Sequence, residues 1–285
     1  VRELSPRTWL PGLCRSSDAE KGSSHSVAAA MLAKSGSMTS FPSLSLADLD
    51  ATWSMTRRYD TKFIMERSAI DQFLAQTSTN FAVLEIADQS AFTYRTTYFD
   101  TPELLLHRDH AQGRSRRIKV RARHYVESNR ARLEVKAKLG NGQTHKTLFE
   151  GRSSVGSAEI SLIDTAISQI YPTSRYAQLG SHLTQSAVTT FKRSTLINRD
   201  SVERMTIDSS LVLDSNAKQV ALSPELVLVE VKSIHPISDT ARKLRRLGFH
   251  PTSFSKYCAG IEATRDIRPR IHSTSSISSK LHLVS

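Results

Sequence analysis

The most informative segment of this chain is a regular alternation of basic and apolar side chains. Residues 117–125 read Arg-Ile-Lys-Val-Arg-Ala-Arg-His-Tyr. Because successive side chains of a β-strand point to opposite faces, the cations share one face, while Ile118, Val120 and Ala122 share the other. A row of like charges repels itself, so it is tolerated only where it faces water or a multiply charged anion. The segment therefore predicts a strand with one core face and one anion-facing face.

A second segment close behind repeats the pattern. Residues 130–138 alternate charged with apolar side chains. The face opposite Leu133, Val135 and Ala137 carries Arg132, Glu134, Lys136 and Lys138. The short stretch between the two segments predicts a β-hairpin. Two adjacent strands, each basic on one face, indicate a surface or a tunnel that binds phosphate.

The charge balance points to the class of partner. The formal net charge of +12 favours a polyanion, such as nucleic acid, an anionic membrane or polyphosphate. A merely solvated basic surface is the alternative that charge alone leaves open. Nucleic-acid binding would call for aromatic stacking platforms among the cations. Aromatic residues make up only 7% of the chain, so we expect no nucleic-acid partner.

Cysteine content and apolar runs constrain the compartment. Cys14 and Cys258 fit neither a metal-ligand spacing nor a disulfide framework, which favours a reducing compartment. No apolar run approaches the roughly 20 residues that span a bilayer. We therefore expect a cytoplasmic protein without a membrane span.

Three regions of the chain differ in composition. Residues 1–50 are rich in Ser, Ala, Gly and Pro and predict a disordered leader. Residues 51–265 carry the periodic patterns and predict one folded domain, whereas the Ser-rich residues 266–285 predict a flexible basic tail. The chain begins with Val, and we expect the true start to lie downstream, at Met38.

Strand-like alternation dominates the predicted domain. Helical spacing occurs only between groups of strands, at residues 68–76, 160–170 and 238–247 and in a last helix that begins at Ser255. The remaining segments supply about eight strands. This pattern predicts an α+β fold, an antiparallel eight-stranded β-barrel with flanking helices.

The sequence Glu-x-Lys occurs twice inside an apolar strand, at Glu134/Lys136 and at Glu230/Lys232. One interpretation is a ladder of cross-strand ion pairs on a solvated sheet. The other is a functional pair, in which the carboxylate holds a divalent metal and the lysine holds phosphate, as phosphoryl transfer requires. The nearly all-apolar strand 226–231 favours metal binding for Glu230, because a buried carboxylate must be paired or metal-bound.

Short motifs between residues 56 and 262 resemble, in the same order, those of the VTC (vacuolar transporter chaperone) domain. That family belongs to the triphosphate tunnel metalloenzymes, which are related to CYTH proteins. The resemblance implies a closed eight-stranded barrel around a basic tunnel, and synthesis of inorganic polyphosphate from ATP with Mn²⁺ or Mg²⁺. The motifs are Tyr59-Asp60-Thr61-Lys62, Tyr98-Phe99-Asp100-Thr101, Arg117–Tyr125, Leu133-Glu134-Val135-Lys136, Phe191-Lys192-Arg193, Arg204-x-x-x-Asp208, Val229-Glu230-Val231-Lys232 and Phe254-Ser255-Lys256-Tyr257.

The resemblance also implies roles for individual residues. Glu230 matches the family's metal ligand, and Phe191 stands where the family often has tyrosine. The residues that match phosphate contacts are Lys62, Arg121, Arg123, Lys136, Lys146, Arg193, Arg204, Ser255 and Lys256. The supporting residues around them are Asp60, Lys119, Glu134 and Lys232.

Three functions fit these residues. The first is a polyphosphate polymerase, a phosphotransferase with ATP and inorganic polyphosphate as its partners. A tripolyphosphatase or nucleoside triphosphatase would use the same tunnel with water as the acceptor, and the sequence separates these two poorly. The third is a non-catalytic module that binds polyphosphate, against which the carboxylate of Glu230 in an apolar strand argues.

We predict that a chain beginning at Met38 keeps the melting temperature and the activity of the full chain. The leader's composition cannot bury enough apolar area to offset the entropy cost of ordering it. Thermal unfolding and activity assays on both chains test this. A large drop in either quantity would show that the leader packs on the domain.

Overall fold

The structure, a computed structural model, describes residues 41–52, 58–141, 143–265, 267 and 280–284. These ranges form one sheet with helices around it. Its strands are β1 (Ser43–Leu44), β2 (Tyr59–Glu66), β3 (Phe81–Leu84), β4 (Ala91–Asp100), β5 (Arg117–Tyr125), β6 (Arg130–Lys138), β7 (Thr144–Glu150), β8 (Thr184–Asn198), β9 (Glu203–Ser215), β10 (Lys218–Leu222), β11 (Leu226–Ser233) and β12 (Leu281–Leu283).

Six α-helices lie in the described ranges, with short 3₁₀ helices at Ser78–Asn80 and Leu179–His182. In these ranges no helix is long and apolar enough to cross a membrane. The helices are α1 (Leu46–Thr52), α2 (Arg67–Thr77), α3 (Leu105–Ala111), α4 (Ser157–Ile170), α5 (Asp239–Arg246) and α6 (Lys256–Thr264).

The strands pair into an antiparallel path of eight, in the order β2–β11–β9–β8–β4–β5–β6–β7. The later part of β9 also pairs with β10, which pairs with β12. On the other side, β8 pairs with β3, and β3 pairs in parallel with β1. The predicted α+β class, an antiparallel sheet with flanking helices, is confirmed.

The two outermost strands of this path, β2 and β7, are not hydrogen-bonded to each other in the described ranges. The segment before α6 bridges the two halves of the sheet instead. The Thr252 N–H donates to the Lys62 carbonyl oxygen at 2.8 Å, and Lys62 Nζ donates to the Phe254 carbonyl oxygen at 2.9 Å. From the opposite half, Lys119 Nζ on β5 donates to Ser255 Oγ at 3.0 Å. The sheet therefore curls until β2 and β5 face each other across this segment.

The apolar faces of the curled sheet point outward, and helices cover them. Val120 of β5 and Leu133 of β6 are buried in one cluster with side chains of α3 and α4. Phe63 of β2 and Val229 of β11 are buried in a second cluster with side chains of α2 and α5. Burial of these faces removes apolar surface from water, which is the main driving force for folding. The charged faces of the same strands are thereby directed inward.

A bulge in β9 changes which of its residues face inward. The register with β8 shifts between Thr190 and Lys192, and Ser210 on β9 has a positive φ of 51°. One extra residue reverses the alternation along a strand. As a result, Leu211 and Leu213 lie in one buried cluster with Phe191 of the neighbouring strand.

The start of α6 covers this end of the curled sheet. Phe254 and Ala259 pack in the same cluster as Leu211 and Leu213. Ser255 is the N-cap of the helix, because its Oγ accepts a hydrogen bond from the Cys258 N–H at 3.3 Å. The helix therefore places Ser255 and Lys256 at the inner side of the sheet.

Short elements lie within the described parts of both predicted flanking segments. Residues 1–40 of the predicted leader lie outside the described residues, but its last part is ordered. β1 pairs with β3, and Leu49 of α1 is buried against Leu84 and Ile197. Most of the predicted tail also lies outside the described residues, whereas β12 within it pairs with β10. Composition alone missed these short elements because they have too few residues to show a period.

We predict that Leu133→Ala lowers the free energy of unfolding by about 2–5 kcal/mol, because the side chain is fully buried under α4 and leaves a cavity. Urea unfolding followed by circular dichroism measures this. Arg130→Ala, at an exposed position of the same strand, is the matched control and should change the free energy of unfolding by less than about 0.5 kcal/mol. Equal effects of the two changes would contradict the outward placement of the core.

Candidate functional site

The inner face of the curled sheet consists of the side chains that alternate with the outward core residues. Cross-strand neighbours connect it from strand to strand, because side chains of directly paired residues lie on the same side of a sheet. All the predicted phosphate-binding residues on strands belong to this face. The pairs that connect it are Lys62 with Glu230, Lys232 with Arg204, Arg193 with Asp208, Arg121 with Glu134, and Lys136 with both Lys119 and Lys146.

Glu134 of β6 holds two of these cations. Its side chain is only 1% exposed, its Oε2 binds Arg121 Nε, and its Oε1 lies 2.6 Å from Lys146 Nζ. Burial raises the pKa of this carboxyl, but Arg121, Arg123 and Lys146 together hold it well below its ordinary value. Glu134 is therefore an ionised counter-ion that orients Arg121 and Lys146.

Asp208 of β9 plays the same part for the other half of the face. Its two oxygens accept hydrogen bonds from Arg193 Nε at 2.6 Å and Arg193 Nη2 at 2.8 Å, a bidentate arrangement. Lys256 Nζ, at the start of α6, lies 2.5 Å from Oδ2. Burial raises the pKa of Asp208, but these two cations lower it to about 2. One buried carboxylate thus fixes an arginine of β8 and a lysine of α6.

Glu230 of β11 is another inward carboxylate and is more accessible than Glu134 and Asp208, with 17% of its side chain exposed. Lys232 Nζ lies 2.5 Å from its Oε2. Burial raises its pKa, whereas Lys232, Lys62 and Arg193 hold it well below its ordinary value. This ion pair joins two residues of one strand and is largely buried, unlike the cross-strand pairs on a solvated sheet of the first interpretation, and the carboxylate stays ionised and partly accessible.

Three inward lysines form a cluster in which positive charges face one another. Lys62 and Lys119 donate to the Phe254 carbonyl and the Ser255 hydroxyl, neither of which carries a negative charge. Burial, with the charges of Lys62, Lys136 and Arg121, lowers the pKa of Lys119 to about 7. Burial and the charges of Arg121 and Lys62 also lower the pKa of Lys136. An anion placed here would stabilise all three charged forms.

A histidine that the sequence analysis did not select extends this cluster. His110 of α3 accepts a hydrogen bond from Arg117 Nε at its Nδ1, at 3.2 Å. Burial and the charges of Lys119, Arg117 and Lys136 lower its pKa far below the ordinary value. The imidazole is therefore neutral and serves as an acceptor that positions Arg117.

Aromatic rings concentrate on the inner face, although they are scarce in the chain. The rings of Tyr94 and Phe191 stack with centroids 5.4 Å apart, and Tyr125 meets Tyr94 edge-on at 5.1 Å. The guanidinium groups of Arg123 and Arg193 lie 5.5 and 5.2 Å from the Tyr94 centroid. Tyr94 thus separates two arginines and contacts both by cation–π interaction.

Glu230 is a suitable protein ligand for a divalent metal ion. Among the described residues, no three His, Cys, Asp or Glu side chains converge on one point. Mg²⁺ is commonly held by one or two carboxylates together with substrate phosphates and water. The ionised and partly exposed Glu230 fits such a site, provided that phosphate oxygens complete the coordination. Glu134 and Asp208 are each engaged by two cations and are almost fully buried.

The structure brings the predicted residues together, and it assigns partners that the sequence patterns did not. The predicted supporting residue Asp60 pairs with Arg58 at 3.4 Å. Glu134 binds Lys146 rather than the predicted neighbour Lys136. Asp208 was not selected as a site residue, although its even spacing from Arg204 on one strand was the available signal.

We predict that Asp208→Asn destabilises the protein by about 3 kcal/mol at pH 7, because Arg193 and Lys256 lose a buried counter-ion. The pKa of Asp208 is depressed in the folded state, from an ordinary 3.8 to about 2. Its stabilising contribution is therefore full above pH 4 and is lost as the pH falls to about 2.

Urea unfolding of both proteins between pH 7 and pH 2 measures this, and the difference in free energy should shrink below pH 4. Asp71→Asn, at an exposed position of α2, is the control and should give a small difference at every pH. A large Asp208→Asn difference that stays constant down to pH 2 would contradict the ionised counter-ion.

Comparison with known proteins identifies the family. The VTC domain family matches residues 57–265 of the chain. Among curated proteins, none matches the chain. Similar solved structures include the PH1819 protein of Pyrococcus horikoshii OT3, at 10% identity and a TM-score of 0.40, covering 68% of this chain and 92% of that one.

Another similar structure is the Hippeastrum protein HpAC1, described as having a dominant triphosphatase activity. It has 14% identity and a TM-score of 0.37, covering 75% of this chain and all of that one. At such low TM-scores these structural similarities support no assignment. The family assignment rests on the family match alone. That match covers most of the chain, including every inward cation described above, and the chain belongs to the VTC domain family.

Proposed function

We propose that this protein is a metal-dependent polyphosphate polymerase that transfers the γ-phosphate of ATP to a growing chain of inorganic polyphosphate. The observation that carries the proposal is the excess of inward cations over inward carboxylates, in a chain of the VTC domain family. Lysines and arginines from seven strands and from α6 converge, while the carboxylates of Asp60, Glu134, Asp208 and Glu230 compensate only part of their charge. A triphosphate or polyphosphate chain supplies the missing negative charge.

The counter-ions prepare the cations for phosphate. Because Glu134 and Asp208 hold Arg121 and Arg193 in place, these arginines lose little freedom when they bind an anion. Arginine grips two phosphate oxygens with its planar fork, and lysine acts as a mobile point charge. Glu134 and Asp208 would stay bound to their arginines, so each guanidinium group would contact its carboxylate and the phosphate at the same time.

Phosphoryl transfer in such a site requires positioning and charge neutralisation more than a protein nucleophile. The terminal oxygen of the acceptor chain would attack the γ-phosphorus in line, and ADP would leave. A divalent ion held by Glu230 would supply further neutralisation of the triphosphate oxygens. Lys62, Arg121 and Arg193 would bind and orient the phosphates, and Lys256 would add a charge from α6.

The length of the basic row favours a polyphosphate acceptor over water. From Arg117 to Arg123, the inward cations of β5 span six residues, or about 20 Å at the usual strand rise. That distance exceeds the length of one triphosphate. Donor and acceptor anions can therefore lie end to end on the same row, whereas hydrolysis would use only part of it.

Incubation with ATP and Mn²⁺, with the products resolved on a gel, separates the candidate functions. Long phosphate chains support the polymerase. Release of free phosphate without chains would assign a triphosphatase, and no turnover would leave a binding module.

We predict that Glu230→Gln abolishes metal-dependent turnover and leaves the fold intact, because it removes charge but little volume. Glu225→Gln, at an exposed position just before the same strand, is the matched control and should keep full activity. Circular dichroism and ATP turnover with Mn²⁺ measure both properties. Full activity of Glu230→Gln would remove Glu230 from the metal site.

A further inference from the structure

We infer that Tyr125 and Arg132 form the site that receives the base of a nucleoside triphosphate donor, at the end of the inner face away from α6. The inference rests on the proposed function for its triphosphate donor. It adds a base-recognition site, so the donor would be a nucleotide rather than a bare tripolyphosphate.

Solvent exposure increases along the aromatic cluster from Phe191 to Tyr125, as a site open to a ligand requires. Phe191, stacked on Tyr94, is 1% exposed and is packed in the cluster that α6 covers. Tyr94 and Tyr125 are only half-buried. Tyr125 is the last residue of β5, next to the turn that leads into β6, so its ring is the outermost of the three. A flat ligand can reach it without rearrangement of the core.

A cation completes the platform. The Arg132 guanidinium lies 6.0 Å from the centroid of Tyr125, and Glu150 Oε1 holds its Nε at 2.7 Å. Every nucleobase has a π-face, so it can stack on tyrosine and on an arginine plane alike. The ion pair with Glu150 fixes the guanidinium near the ring, which reduces the entropy cost of stacking.

The spacing along β5 connects this platform to the phosphate-binding arginines. Arg121, Arg123 and Tyr125 share the inner face, and alternate residues of a strand lie about 7 Å apart. Phosphates bound by Arg121, Arg123 and Arg193 would therefore place the ribose between Arg123 and Tyr125. The base of an extended nucleotide then lies against the Tyr125 ring.

Two ligands of equal charge test the inference. A non-hydrolysable ATP analogue with a β,γ-methylene bridge carries a base, whereas the matching methyl triphosphate has the same methylene bridge and the same phosphates but no base. Calorimetric titration of the full chain should show that the analogue binds about five-fold or more tightly than methyl triphosphate, as expected for one stacked base. Equal affinities in the wild-type protein would overturn the inference.

Substitutions at Tyr125 separate a base platform from a structural ring. Tyr125→Leu should weaken binding of the analogue by about five-fold or more and leave methyl triphosphate unchanged, whereas Tyr125→Phe, which keeps the ring, should behave as wild type. Equal weakening of both ligands by Tyr125→Leu, or of neither, would overturn the inference. If Tyr125→Leu does not fold, Arg132→Gln is tested instead. It should weaken binding of the analogue and leave binding of methyl triphosphate unchanged. Equal effects on the two ligands would exclude the site.

Failure of this inference is distinguishable from failure of the proposed function. Binding measured with inert ligands does not depend on turnover. If the wild type prefers the analogue through Tyr125 but makes no polyphosphate, only the polymerase proposal fails. If it makes polyphosphate and Tyr125→Leu binds both ligands as wild type does, only the base platform fails.

Discussion

Repulsion among inward positive charges is the constraint on which the rest of this structure depends. Lysines and arginines of opposite strands face one another, and burial makes each charge more costly than in water. Glu134 and Asp208 relieve part of this cost, each by contact with two cations. Uncompensated repulsion remains in the cluster of Lys62, Lys119 and Lys136, where burial and the neighbouring cations lower the pKa of Lys119 to about 7. The stored repulsion is what a bound polyanion would relieve.

The curled sheet differs from a barrel with an apolar interior, because its charged side chains face inward and its apolar side chains face outward. Apolar side chains of β5, β6, β2 and β11 point outward and are buried under helices, which provides the folding free energy without filling the inner face. Because β2 and β7 do not pair in the described ranges, residues 252–255 hold the halves together through Lys62 and Lys119. The same contacts that close the fold therefore also position candidate phosphate ligands.

The side chains that stabilise the inner face are the same ones that we propose bind phosphate. Asp208 fixes Arg193 and Lys256 when the face is empty, and phosphate would share these cations when it binds. Tyr94 lies between Arg123 and Arg193 and keeps the two guanidinium groups apart. Such preorganisation lowers the entropy cost of binding a flexible polyanion. It also explains why a chain poor in aromatic residues places several of them beside its arginines.

The sequence by itself determined which faces of the strands are apolar and which are charged, because side chains alternate with a period of two along any strand. That period identified β5, β6 and β11 as carriers of the candidate site, and the order of the motifs indicated the candidate phosphate-binding residues. Only the tertiary structure decided which charged side chains pair with each other. The alternation specifies the face of a strand but not its register with the neighbouring strand. Three features depend on contacts between residues far apart in the chain. They are the ion pair of Glu134 with Lys146, the ion pair of Asp208 with Lys256, and the inward orientation of Leu211 after the bulge. His110 and Tyr94 joined the site for the same reason: the fold brings together residues whose separation in the chain leaves no local signal.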